Sequence, residues 1–166
     1  MRNKWKFFGL FVLYALILSM IWFRLHAVYI HLPVAIAEWV LDIVAYSGNI
    51  VEVAERDGKT FVRFPEYAPD VAYIAMNVVF NTVPFVALVL ATPSIKLRFM
   101  IMNLIYGLST LFFLHVLSII SMFFRAATGF IWKDAVYLFF ASLLEALAPL
   151  ILWFIFIGKE IIFPKK

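Results

Sequence analysis

Long apolar runs separated by short polar stretches dominate the chain, and their lengths divide it into segments. Four runs have roughly the 20 residues that a helix needs to cross about 30 Å of hydrocarbon. They cover residues 7–23, 72–92, 99–124 and 135–157. None alternates apolar with polar residues, so the pattern favours spanning helices over spanning strands. The first run follows the basic Met1–Lys6 and is stopped by Arg24. No small-x-small cleavage site follows it, so it reads as an uncleaved anchor.

The stretch from Arg24 to Val71 is the one region long enough to stand outside a bilayer. In residues 31–46, Leu32, Ile36, Trp39, Val40 and Ile43 recur at helical spacing, with Glu38 and Asp42 on the other side. Pro33 suits a first helical turn. The pattern predicts an interfacial helix lying along the outer surface. Residues 50–64 predict a β-hairpin, because Asp57-Gly58 fits a two-residue turn that needs positive φ at both positions. The turn sets the register: Glu52 faces Arg63 as an ion pair, and Val51, Val53, Val62 and Phe64 form the apolar side. The expected fold is therefore an all-α integral membrane protein of four transmembrane helices, with an outer interfacial helix and a small β-hairpin.

Composition agrees with this class. The 166 residues are 66% hydrophobic and 14% charged, whereas soluble domains run near 45–50% and 25%. Such a chain cannot hide its apolar surface in a water-soluble globule of this size. The net charge of +4 is spread along the apolar runs instead of forming a patch, which argues against a nucleic-acid partner. Arg2, Lys4, Lys6, Lys96, Arg98, Lys159, Lys165 and Lys166 share one predicted side with the single acid Glu160. By the positive-inside rule both termini are expected in the cytoplasm, in a multi-pass protein of the cell (inner) membrane. Expected partners are the lipid bilayer and other membrane proteins.

Ionisable residues inside spans are costly, so each is a functional candidate. His115, Glu145 and the polar Asn81 fall at about the same depth on three predicted helices, about 15 Å from the outer surface. This layer could relay a proton or ion, or it could simply join helices through hydrogen bonds. With no cysteine, thiolate metal sites and a cysteine nucleophile are excluded. His26, His31 and Glu38 lie near one another, but histidines five apart occupy different helix faces. No phosphate loop, zinc helix or nucleophile elbow occurs. We expect no catalytic residue, metal or cofactor.

The order of elements resembles the exosortase/archaeosortase family of membrane enzymes that process C-terminal sorting signals, and also the small membrane proteins associated with some exosortases. An anchor and an outer helix precede the Asp57-Gly58 hairpin, a helix ending LVLATP, a basic link and a helix carrying FLHVLSIIS. The resemblance covers Val34 to Ser121. It implies a nucleophilic cysteine where this chain reads EYAPDVAYIAM, and an arginine near His115–Ser118, where none stands. A thiolate cannot be replaced by Ala, Val or Tyr. The expected function is that of a non-catalytic accessory or scaffold protein in protein sorting. A small structural subunit of a larger membrane complex is one alternative, and a proton- or ion-coupled carrier using His115 and Glu145 is another.

Overall fold

The computed structural model describes residues 2–44, 48, 50–93, 95–127, 133–139 and 145–158. Helices α1 (Arg2–Tyr29) and α2 (His31–Ile43) come first, followed by strands β1 (Glu52–Arg56), β2 (Lys59–Phe64) and β3 (Ala68–Ile74). Helices α3 (Ala75–Val79), α4 (Thr82–Ala91), α5 (Leu97–Ala127), α6 (Lys133–Tyr137) and α7 (Glu145–Trp153) complete the order. A wider π-helical turn, Phe154–Gly158, extends α7.

This corrects the four-span expectation. Among the described residues, two helical stretches are long and apolar enough to cross a membrane, Trp5–Ile43 and Leu97–Ala127. The second expected span, 72–92, fails because its first residues belong to β3. What remains, Ala75–Ala91, covers about 25 Å at 1.5 Å per residue and is broken in the middle. Its packing also differs from that of a lipid-facing span. Val83, Phe85, Ala87, Leu88, Val89 and Ala91 are all buried, so α4 is a core element enclosed by its neighbours. The fourth expected span, 135–157, is described as α6 and the shorter apolar helix Leu147–Ile157, and residues 140–144 lie outside the described residues.

Prolines explain two of the breaks. Pro33 has no N–H to donate to the Tyr29 carbonyl four residues earlier, so one helical hydrogen bond is missing there, and α1 gives way to α2 at Ile30, whose backbone stays helical. Pro84 likewise offers nothing to the Phe80 carbonyl, which instead accepts from Val83 N at 3.1 Å, a tighter turn that separates α3 from α4. Both breaks leave a polar side chain, Tyr29 or Asn81, at a helix corner.

The hairpin forms around Asp57 (φ +52) and Gly58 (φ +70), and pairs Glu52 with Arg63, Val53 with Val62 and Arg56 with Lys59. The Arg63–Glu52 ion pair spans 3.7 Å at a partly exposed position. A third strand, absent from the sequence reading, turns the hairpin into a sheet of order β1-β2-β3, both pairs antiparallel. Within β3, Val71 and Tyr73 point inward while Ala72 and Ile74 are exposed, a period-2 pattern that a hydropathy window averages away. A register shift between Arg63 and Phe64 accommodates the turn that joins β2 to β3.

The sheet and α2 form a head on the C-terminal half of α5. Val62 and Phe64 of the sheet, Val34, Ala37 and Leu41 of α2, and Val116, Ile119, Met122 and Phe123 of α5 share one core. Phe123 meets Phe64 and Tyr67 edge to face, with centroids 5.7 and 5.3 Å apart. The inward face of α2 is therefore Val34, Ala37 and Leu41. Of the residues expected on its apolar side, Leu32, Trp39 and Ile43 are exposed, while Ile36 and Val40 are half-buried. The other end of the molecule is tied by Phe7 against Trp153, 5.9 Å between centroids, and by Trp153 Nε1 donating to Thr92 Oγ1 at 2.9 Å. Midway, Gly107 of α5 lies against the Phe85 ring so closely that a Cβ would overlap it.

Candidate polar site between three helices

His115 is the centre of a buried polar chain. It lies in mid α5 at 0% exposure. One ring nitrogen, Nδ1, is 2.9 Å from the Tyr29 hydroxyl, and the other, Nε2, is 2.7 Å from Asn81 Oδ1. Asn81 Oδ1 can only accept, so Nε2 carries the proton and donates to it. Nδ1 is then an acceptor, and the Tyr29 hydroxyl donates to it. The imidazole is neutral, with both nitrogens matched. Tyr29 also stands edge-on to His115, with centroids 5.8 Å apart, and packs on Trp22 at 5.2 Å.

The helix corners make this meeting possible. Tyr29 is the last residue of α1, where Pro33 leaves one helical hydrogen bond unmade. Asn81 sits at the α3–α4 break set by Pro84. His115 projects from an unbroken α5 into the space between them. Two interrupted helices thus bring polar groups to one continuous helix.

Of the three residues expected in a polar layer, Asn81 and His115 are in direct contact. For Glu145 only the backbone is described, at the start of α7, and its side chain lies outside the described residues. Sequence reasoning missed Tyr29. It ended the first helix at Phe23, whereas α1 runs through Arg24 and His26 for six more residues. The signal was present in the position of Tyr29, four residues before Pro33.

Several polar atoms around the chain remain unmatched. Asn81 Nδ2, Thr82 Oγ1 and Trp22 Nε1 are buried without a hydrogen-bond partner among the described residues, as is Asn103 Nδ2 further along α5. Trp22 and Thr82 line a pocket of about 340 Å³ that is bounded otherwise by apolar side chains of α1, α4 and α5.

A second polar cluster lies where the head meets α5. The Arg125 guanidinium is 3.1 Å from Asp134 Oδ1 and 4.2 Å from the centre of the Tyr137 ring. Arg125 also stands near the Tyr73 hydroxyl, and its charge acts on it. Burial is the main cause that pushes the Tyr73 phenol above its ordinary pKa, with Arg125 opposing it. This cluster fastens β3 and α6 to the end of α5. Glu52 and Arg63 stand apart from it on the outer side of the sheet, and Asp57 and Gly58 at the exposed hairpin tip.

No family model, curated protein or solved structure matches the chain. The likeness to exosortases therefore rests on the layout of the sequence.

Proposed function

We propose that this chain is a membrane-anchored, non-catalytic accessory protein. Its apolar helices fix the head at the membrane surface, where the head meets other membrane proteins of a sorting system. The observation that carries this reading is the continuity of α5. Its first half exposes Leu97, Ile101 and Ile105, while its second half contributes Val116, Ile119 and Phe123 to the head's core. One rigid helix thus links the lipid-compatible part to the sheet.

In this reading the protein is multi-pass in the cell (inner) membrane, with both termini cytoplasmic and the head outside. The Phe7–Trp153 contact supports termini on the same side, because it draws the start of α1 to the end of α7, away from the head. The basic residues Lys96 and Arg98 flank the start of α5 at that same end. The order of outer helix, hairpin and LVLATP segment supports a place beside an exosortase-like enzyme.

The alternative, a structural subunit of a larger complex, is favoured by the wide apolar surface of α1, on which Leu16, Met20 and Phe23 are each more than 60% exposed. Photo-crosslinkers at Lys59 on the hairpin and at Met20 on α1 distinguish the two in native membranes. Capture of a sorting enzyme or its substrate from Lys59 supports the accessory role. Capture of a protein partner from Met20 alone supports the subunit role and sinks the first reading.

A further inference from the structure

The outer edge of the molecule carries a helical seam that its own fold leaves bare. Trp5–Ile43 is one helical stretch of 39 residues. Its hydrogen bonds run through the α1–α2 junction, from Ile30 N to the His26 carbonyl at 3.0 Å and from Val34 N to the Ile30 carbonyl at 3.2 Å. One side of the stretch, with Ile30, Val34, Ala37 and Leu41, belongs to the head's core. On the opposite side Ile21, Leu25, Val28, Leu32, Ala35 and Trp39 are all exposed, Val28 at 74%. They follow one another at steps of 4-3-4-3-4, the a and d positions of a heptad. Between Leu25 and Trp39 the only other exposed residue is His31.

Neither lipid nor water suits the upper part of this seam. The 39 residues extend about 58 Å, nearly twice the ~30 Å of hydrocarbon in a bilayer. Arg24, exposed, marks where α1 leaves the acyl chains, and Trp39 lies about 22 Å further along. At that level α2 touches β1, whose Glu52, Glu55 and Arg56 require water. An uncharged strip of Leu25, Val28, Leu32, Ala35 and Trp39 at the height of a hydrated sheet calls for a protein cover.

The seam also says which protein. A 3.5-residue period is the pattern of one helix packed along another at a shallow angle, and it is narrower than the apolar face of a helix lying on lipid. The partner must raise an uncharged helix of equal length out of the same membrane. A second copy inserted in the same orientation does this, because every residue stands level with its counterpart. We propose that two copies of this chain pair in parallel along the seam, about a two-fold axis normal to the membrane. Leu25, Val28, Leu32, Ala35 and Trp39 each meet the same residue of the second copy. Charge permits the pairing. Arg24, His31 and Glu38 fall at g positions, which face Tyr29, Ile36 and Ile43 of the other helix, so no like charges meet. The six seam side chains expose roughly 650 Å² per copy before any flanking residue is counted, against ~800 Å² per partner in a standard interface.

The pairing rests on α1 crossing the membrane and is independent of which protein the head meets. The absence of cysteine makes it directly testable in the full chain in native membranes. Leu25→Cys, Val28→Cys, Leu32→Cys and Ala35→Cys are oxidised with copper phenanthroline, beside Phe23→Cys and Lys59→Cys, which are exposed off the seam. All four seam variants should form disulfide-linked homodimers, and the two controls should not. Adding Leu32→Glu to Val28→Cys places like charges in one layer and should lower dimer yield about tenfold or more. Leu32 is outside the core, so thermal unfolding should be unchanged. A membrane-impermeant maleimide checks the premise separately, since Leu13→Cys, within the span, should not react.

Homodimers at none of the four positions assign the seam to a different protein and overturn the proposal. Crosslinking at Val28 and Leu32 without Leu25 and Ala35 marks an antiparallel pair and overturns it equally. So does a yield at Phe23 equal to that at Val28, or a yield that Leu32→Glu leaves unchanged. Reaction of Leu13→Cys overturns the membrane placement of α1 and, with it, the axis of the pair.

Discussion

Replacing His115 with leucine removes the middle member of the buried chain. The Tyr29 hydroxyl, 2.9 Å from Nδ1, loses its acceptor, and Asn81 Oδ1, 2.7 Å from Nε2, loses its donor. Each stranded group costs about 1–3 kcal/mol, and leucine's apolar contacts return part of that, so His115→Leu should destabilise the protein by about 2–4 kcal/mol. Asn81→Leu strands only the imidazole Nε2–H. It also removes an amide Nδ2 that is already unpartnered, and so should cost clearly less. The double variant should recover part of the sum. Interhelical hydrogen bonds in membranes couple by about 0.6 kcal/mol on average and up to about 1.7. The short, fully buried His115–Asn81 bond belongs in the upper part of that range, so the cycle should return about 1 kcal/mol. Reversible unfolding in mixed micelles, followed by circular dichroism, supplies the four free energies. Equal costs for the two single variants, with a coupling indistinguishable from zero, would refute the assigned tautomer and the network.

Three further outcomes follow from other parts of the fold. Gly107→Leu forces a side chain into the Phe85 ring and should cost about 1–3 kcal/mol, with partial rescue by Phe85→Leu, measured by the same unfolding assay. Gly58→Ala places a Cβ at φ +70 in the hairpin turn and should cost about 1 kcal/mol, read as faster amide exchange in Thr60 to Val62. Tyr73 has a pKa raised in the fold, so its contribution to stability is full below the unfolded tyrosine value near 10 and is lost as pH rises through the higher folded value. Difference absorbance at about 295 nm between wild type and Tyr73→Phe should show one phenol ionising later than an ordinary tyrosine. A difference titrating at the ordinary value would mean that Tyr73 is not shielded by β3 and α6.

Local pattern carried a good deal of this fold. The Asp57-Gly58 dipeptide set the hairpin and its register, since the left-handed backbone it tolerates matches the strand twist. Two apolar runs, around Phe7–Phe23 and Phe99–Phe124, correspond to the long helices α1 and α5. Asn81 and His115 stood out as polar residues inside apolar runs, although residues 72–74, counted there as helix, belong to β3.

Other features depended on neighbours distant in the chain. Hydropathy alone does not distinguish a helix bathed in lipid from one enclosed by protein, because both are apolar. Residues 72–92 were therefore read as a span, whereas Ala72–Ile74 pair with β2 and most of α4 is buried against α1, α5 and α7. The face of α2 that meets the head was not legible for the same reason: Ala37 is small enough to lie close against the head's core, while the larger Trp39 stays outside. Tyr29 entered the polar site only because α1 runs on to it past Arg24 and α5 brings His115 to the same level. The sequence by itself determined which segments are apolar, where the turn lies and where helices must break, since these follow from hydration and backbone sterics within a few residues. Only the tertiary structure decided which apolar faces meet and which polar groups find one another, since those choices depend on close packing between segments far apart along the chain.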